Sequence, residues 1–333
     1  MPRVSILLPV RDEERLLPAA LKSLARQTMQ DWELIAVDDG SSDGTATILA
    51  RAARKDARIR VLQRPPAGLV AALNHGLAVC RAELVARMDA DDICDPRRLE
   101  LQVAQLEHEP TTTLLACRVR HFPRSAIRGG FLAYEAWQNS LLTHAEIVRD
   151  FYVESPFAHP SVVFRRRAVE AVGGYRDMGW AEDYDLWLRL KLAGARFARR
   201  PETLLYWRDR ADRLSRTGDH CTLAAFRACK VHFLCRDYLA GTDRVTLWGA
   251  GKEGKAWRLA LAGQGIAVER WIEIDRNKIG QTIHGAPVVD LQQLTAGQGK
   301  ILITVGAKGA RQQIREFAAA RGLHEGDDFL CVT

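Results

Sequence analysis

The sequence predicts an α/β protein in two units: a larger one around a mostly parallel sheet flanked by helices, and a smaller α/β unit after it. Three observations carry this. Apolar runs alternate with helical patterns from residue 4 onward, acidic or glycine-rich turns follow the apolar runs, and the alternation starts afresh near residue 242. At 333 residues the chain also exceeds the usual size of one domain.

Taken in order, "RVSILLPV" reads as a strand, "RLLPAALKSLARQT" as an amphipathic helix and "DWELIAVDDG" as a second strand. "DGTATILARAARKD" is helical, "RIRVLQRP" a short strand, "GLVAALNHGLAVC" a helix, and "AELVARMDADD" a strand ending in an acidic cluster. From Pro123 to Phe157 the pattern weakens into mixed polar, glycine and aromatic segments, the expected place of a lid or binding region. "HPSVVFRRRAVEAVGGY" then gives a strand and a short helix stopped by Gly173 and Gly174. "AEDYDLWLRLKLAG" is a helix with Leu186 and Leu190 at core spacing, and "ARFARRPETLLYWRD" closes this part as strands. A helix from Thr222 to Leu239 leads to a fresh strand, "RVTLWGAG". The expected division is therefore 1–218, a helical linker 219–241, and 242–333. The last part alternates again: helix "KEGKAWRLALAG", strands "AVERWIEID" and "KILITVGA", helix "GARQQIREFAAARG", strand "DFLCV".

Composition narrows the setting. No apolar run approaches the roughly 20 residues of a membrane-spanning helix, and the opening "MPRVSILLPVRDEE" is interrupted by charge too soon for a signal peptide. Seven scattered cysteines without a CxxC pair suggest neither a disulfide framework nor a zinc ribbon, so a cytoplasmic location is expected. His220, Cys221, Cys229, His232 and Cys235 fall in an Ala-, Leu- and Phe-rich helical stretch, where buried cysteine is common. The net charge of +7 rests mostly on arginine, whose fork suits phosphate. It fits a nucleotide or an anionic membrane surface; nucleic acid is not an expected partner, because no aromatics interleave a repeated basic face.

In open α/β sheets ligands bind beyond the carboxyl ends of the strands. Three such places are polar: Pro9 to Glu14, Asp38 to Asp43 and Asp89 to Asp92. Asp89, Asp91 and Asp92 are crowded enough that they must take up protons or hold a cation. Carboxylates without His or Cys favour Mg2+ or Mn2+, which complete their shell with substrate phosphates. The bland alternative is a solvated turn, and Asp95 is assigned to a helix cap before Pro96. Asp38 and Asp39 either accept from a base or ribose or simply cap and salt-bridge.

These segments together resemble family 2 glycosyltransferases of the GT-A fold. "VSILLPVRDEERLLPAALKSLARQT", "WELIAVDDGSSDGT", "MDADD" and "WAEDYDLWLRL" stand in that family's order and spacing over the first 215 or so residues. The resemblance implies a metal-dependent transfer, with inversion, of a sugar from a nucleotide sugar, UDP-linked by expectation, to a hydroxyl of a glycan or lipid-linked acceptor, as in cell-surface polysaccharide synthesis. It places Pro9, Asp12, Glu13, Asp38 and Asp39 around base and ribose, and Asp89, Asp91 and Asp92 at ribose and metal-bound diphosphate, with Asp91 and Asp92 on the Mn2+ or Mg2+. The catalytic base falls on Asp183, with Glu182 beside it; a carboxylate there also favours the helix N-terminal dipole. His159 in "FAHPSVVFRR" is implied at acceptor or diphosphate, with a structural histidine as the rival reading. Arg208, Arg213 and Ser215 in "YWRDRADRLSRT" are implied to close over the diphosphate, with solvated surface as the rival. Arg11 and Asp12 stand where the family commonly has an aromatic and Asn. A positive surface on an enzyme with a lipid-linked acceptor implies peripheral contact with an anionic membrane at its inner face.

In the smaller unit "LWGAGKEGK" puts Gly249, Gly251 and Gly254 between a strand and a helix, and Asp275 ends the next strand 24 residues beyond Gly251. That spacing is a dinucleotide fingerprint in a Rossmann-like domain; a nucleotide there and a purely structural turn both stay open. So do two other functions: a nucleotide-sugar oxidoreductase working from this turn, and a non-catalytic sugar-nucleotide sensor. Retention of both acidic groups in the first unit speaks against the sensor.

Overall fold

A computed structural model describes residues 1–210, 213–307 and 309–333, with backbone alone at 214 and 215. The chain forms two compact units, Met1–Val148 with Pro156–Gly218, and Arg149–Ser155 with Asp219–Thr333.

The first unit opens with β1 (Val4–Val10), α1 (Leu17–Ala25), β2 (Trp32–Asp38), α2 (Thr45–Lys55), β3 (Ile59–Gln63), α3 (Leu69–Val79) and β4 (Leu84–Arg87). It continues with β5 (Ile93–Cys94), α4 (Arg98–His108), β6 (Thr112–Phe122), α5 (Gly129–Ser140), α6 (His144–Arg149), β7 (Val163–Arg165), α7 (Arg166–Ala171), α8 (Glu182–Leu192), β8 (Arg196–Arg208) and α9 (Leu214–Thr217). The sheet order is β3-β2-β1-β4-β7-β6-β8-β5. Pairing is parallel from β3 to β4 and between β6 and β8, and antiparallel at β4/β7, β7/β6 and β8/β5.

Every residue of β1, β2 and β4 is buried, which explains their continuous apolar runs: helices cover both faces of the parallel part. Leu17, Ala20 and Leu24 of α1 and Leu99, Val103 and Leu106 of α4 pack on one face at three- and four-residue spacing. Each such leucine contributes about 1.5–3 kcal/mol by leaving water. Glu33, buried in β2, is satisfied by Ser5 Oγ at 2.6 Å and by Arg81 through backbone (2.8 Å) and Nε (2.7 Å). Because β1 lies between β2 and β4, all parallel, their carboxyl ends emerge side by side. Gly40, with φ at +73°, permits the tight turn after β2; a Cβ there would meet Pro66 Cδ at 2.5 Å.

Two stretches differ from the sequence expectation. The segment expected to be irregular between 123 and 157 contains the helices α5 and α6, and "ARFARRPETLLYWRD" is one 13-residue strand, β8, with its register to β6 broken near Cys117 and Arg118. The carboxylate of Asp95 accepts from the Arg97 amide at 2.9 Å, just ahead of α4.

The second unit contains α10 (Leu223–Leu234), β9 (Arg244–Trp248), α11 (Lys252–Ala262), β10 (Ala267–Glu273), β11 (Thr282–Ile283), β12 (Ala286–Asp290), β13 (Ile301–Ile303), α12 (Ala310–Ala319) and β14 (Phe329–Cys331). Its sheet order is β11-β12-β10-β9-β13-β14, running outward from β9 on both sides, with β9 parallel to β10 and β13. Helix α10 belongs to this unit, and so does a segment from far earlier in the chain. Lys230 Nζ on α10 donates to the carbonyls of Val153 (2.7 Å) and Val332 (3.2 Å), Tyr152 Oη donates to Asp237 (2.8 Å), and Arg315 pairs with Asp150 (2.6 Å). Among the described residues no helix is long and apolar enough to cross a membrane.

The glycines after β9 are not equivalent. A Cβ on Gly254 would sit 1.9 Å from the carbonyl oxygen of Gly249, whereas one on Gly251 would meet nothing within 4 Å. Gly254→Ala is therefore expected to destabilise by about 1–3 kcal/mol or more through overpacking against backbone, and Gly251→Ala to cost much less. Urea melts of the two variants check this, and equal losses would contradict it.

Candidate active site

Strand β4 ends in Arg87, and the chain turns through Asp89 to Asp92 with the Asp92 amide donating to the Asp89 carbonyl at 3.4 Å. The three carboxylates of Asp89, Asp91 and Asp92 offer oxygens within 4.8 Å of one another. Each has a different neighbourhood. Asp89 Oδ1 is 2.7 Å from Arg87, whose side chain is only 2% exposed; although burial would raise the Asp89 carboxyl, the Arg87 charge holds it below its ordinary value. Asp91 is raised by burial and by the charge of Asp89; its Oδ2 lies 3.4 Å from Arg210 Nε. Asp92 accepts the Arg208 amide on Oδ1 at 2.7 Å, while its buried Oδ2 has no partner among the described residues. Burial and the two neighbouring aspartates push its carboxyl well above the usual range. A buried orphan oxygen in an oxygen-only cluster of three carboxylates fits a hard divalent cation.

The neighbouring loops contribute the other expected residues. Pro9 lies in β1 opposite Val37. Asp12, at φ +52°, accepts from the Ser42 amide (2.7 Å) and hydroxyl (3.1 Å), tying the loop after β1 to the loop after β2. The Glu13 amide donates to Thr45 Oγ1 at 2.8 Å, and its carboxylate pairs with Arg210. Asp38 Oδ1 accepts from Ser41 N (3.0 Å) and Oγ (2.6 Å). Asp39 accepts the amides of Ala67 (3.0 Å) and Gly68 (2.8 Å), one on each oxygen, fixing the loop before α3.

On the other side stands α8, beginning at Glu182. Buried His159 places Nδ1 3.5 Å from Glu182 Oε1 and Nε2 3.0 Å from Tyr175 Oη. Burial, then the Arg87 charge, lowers its pKa against the pull of Glu182; these partners suit an Nδ1–H donating to Glu182 and an Nε2 accepting from Tyr175. Although burial opposes it, this contact holds Glu182 below its ordinary value. Asp183 goes the other way: burial and then the adjacent Glu182 charge push it up to about 8, against the 2.6 Å bond it accepts from the Tyr184 amide. Two adjacent carboxyls are thus driven apart in acidity, the arrangement expected of one structural and one proton-accepting group. The Arg87 charge acts on Asp89, Glu182 and Asp183, and the charge of Asp89 reaches Asp183.

Arg213 lies over the Trp207 ring at 4.4 Å and donates to the Arg208 carbonyl at 3.1 Å; its charge helps to lower Asp89 and opposes the rise of Asp91 and Asp92. The side chain of Ser215 is outside the described residues. Arg87 and Arg210 were not singled out by the sequence. An arginine closing an otherwise apolar strand directly before the aspartates was the available signal for Arg87; Arg210 reaches the site only through the pairing of β8 with β6 and β5.

In the second unit Gly249 has φ +113° and faces Thr304 and Val305. Asp275 bonds its own turn, accepting the Asn277 amide at 3.0 Å, and the acid that reaches the glycine loop is Glu273, which accepts the Ala250 amide at 3.2 Å.

A mostly parallel sheet flanked by helices, with an acidic cluster beyond β4, matches the framework of glycosyl-transfer enzymes. The chain matches the model of Glycosyl transferase family 2 over residues 5–173, and it belongs to that family. It is 31% identical over 240 residues to the putative glycosyltransferase EpsE of Bacillus subtilis, covering 71% of this chain and 82% of that one. It is 27% identical over 248 residues to an Escherichia coli UDP-Gal:alpha-D-GlcNAc-diphosphoundecaprenol beta-1,3-galactosyltransferase (73% and 88% covered). In fold it resembles S. aureus TarS 1-349 in complex with UDP-GlcNAc, with TM-score 0.58 and 17% identity over 80% of this chain and 82% of that one. It also resembles the Pyrobaculum calidifontis mannosyltransferase PcManGT in complex with GDP-Man and Mn2+, with TM-score 0.51 and 19% identity over 79% and 69%. The fold is the GT-A type that the sequence predicts.

Proposed function

We propose that this glycosyltransferase uses a UDP-sugar and glycosylates a hydroxyl of a glycan or lipid-linked saccharide, inverting the anomeric centre. The observation that carries the reading is the Asp89, Asp91 and Asp92 cluster with the orphan Asp92 Oδ2, and the Arg87 charge bears on it as on the Glu182–Asp183 pair. Asp183 takes the proton of the acceptor hydroxyl as its oxygen attacks the anomeric carbon; the bond from that carbon to the diphosphate breaks on the opposite face. Glu182, held by His159, keeps the charge that makes Asp183 basic. Arg208 and Arg213 stand by to meet the departing diphosphate. Asp91 and Asp92 are the residues that would hold Mn2+ or Mg2+, which when bound neutralises charge developing on the leaving group. Pro9, Asp12, Glu13, Asp38 and Asp39 frame the nucleoside, with Asp39 acting through the Ala67 and Gly68 backbone. A basic surface would favour contact with an anionic membrane carrying the acceptor.

Calorimetric titration of UDP and GDP, with and without Mn2+, tests this. UDP is expected to bind tightly only with metal. Binding of GDP alone would move the donor to guanosine, and metal-independent binding of either would overturn the site.

A further inference from the structure

Among the described residues Asp89, Asp91 and Asp92 cluster beyond the carboxyl end of β4, and Arg210 links Glu13 to Asp91. Their positive partners differ in how firmly they are fixed. Arg87, 2% exposed, is locked into the floor against Asp89. Arg210 is 30% exposed and sits two residues past the end of β8; its guanidinium pairs with both oxygens of Glu13 and stands 3.4 Å from Asp91 Oδ2. It thus stands against the carboxylate proposed to hold the metal.

We infer that Arg210 is the resident counter-ion of this site and makes cation binding conditional on the diphosphate. This rests on the proposed metal and nucleotide reading. A divalent ion arriving alone at Asp91 must displace a guanidinium that Glu13 continues to hold, and the two cations then repel across a few ångströms. When a diphosphate arrives with the ion, the displaced fork gains phosphate oxygens of matching geometry. Arg210 is therefore a positioning residue that couples the two ligands, and the coupling must be the same whichever binds first.

The thermodynamic cycle of Mn2+ and UDP on the full chain tests it, with Mn2+ binding followed by electron paramagnetic resonance and UDP binding by calorimetry. In Arg210→Gln, Mn2+ alone is expected to bind about tenfold more tightly, while the factor by which UDP strengthens Mn2+ falls by about tenfold or more. Arg210→Lys, which keeps the charge, is expected to retain weak binding of Mn2+ alone. Unchanged or weaker binding of Mn2+ alone in Arg210→Gln, with an unaltered melting temperature, would overturn the inference. If UDP fails to bind the parent chain with Mn2+, the donor reading fails, and the comparison of Mn2+ alone still decides whether Arg210 guards Asp91.

Discussion

Asp183→Asn is expected to lower kcat about 10²–10⁴-fold, the ordinary contribution of a positioned general base, while making the protein more stable. The two effects share one cause. Burial and the Glu182 charge raise the Asp183 carboxyl to about 8, so the folded protein binds a proton there that the unfolded chain, with an ordinary carboxyl, releases. Between those two values the folded state holds more protons, and stability falls as pH rises. The sign is thus opposite to that of a salt-bridged aspartate. Asparagine removes the titration, so its gain in melting temperature should be largest above pH 8 and shrink toward pH 4. In the parent enzyme kcat/KM should rise with pH along a limb well above that of an ordinary carboxyl, and that limb should be missing from the residual activity of Asp183→Asn. Melting curves from pH 4 to 9 beside the pH–rate profile check both halves. Equal destabilisation at all pH values would assign Asp183 to structure instead.

Asp92→Asn carries the second large effect. Asp92 is nearly sealed from solvent, and one of its oxygens is bound to the Arg208 amide while the other is unpartnered among the described residues. The amide side chain can keep the first contact but offers a neutral group, and in one orientation a donor, where a cation would need an anion. Activity should fall about 10³-fold, corresponding to the several kcal/mol that a metal supplies to a leaving diphosphate. Chelation of the parent enzyme should give a loss of similar size, reversed by Mn2+, and chelation of Asp92→Asn should add little. Full activity of the parent in chelator would remove the metal from the mechanism. Measuring UDP release in the four combinations decides it.

How much of this was legible beforehand depended on where the information resides. The strands β1, β2 and β4 could be read because parallel strands covered on both faces need apolar residues at every position, and the acids that follow stand out against them. The start of α8 was legible because Glu182 and Asp183 open a helix whose following residues are largely apolar. Strand β6, "TTLLACRVRHF", was not, since charged and apolar residues mix along it and its pairing comes from β8, some eighty residues later. Helix α5 has two glycines and three aromatics among its twelve residues and lacks a clean apolar stripe. Arg210 was obscure for a related reason: its partners Glu13 and Asp91 are close only after the sheet is assembled. The acidity of Asp183 is set by burial and by a charge next to it, and only the second is written in the sequence.

Residues 149–155 give the molecule an unusual order of manufacture. Phe151, Tyr152 and Val153 are buried, and the Val153 carbonyl shares the Lys230 ammonium with that of Val332, the penultimate residue. During synthesis this short apolar stretch leaves the ribosome long before its partners do. The second unit is thus discontinuous in the chain, so a truncation after residue 218 would strip it away yet leave one of its own pieces behind, greasy and unsheltered. A detachable catalytic fragment would have to be trimmed in its middle as well as at its end.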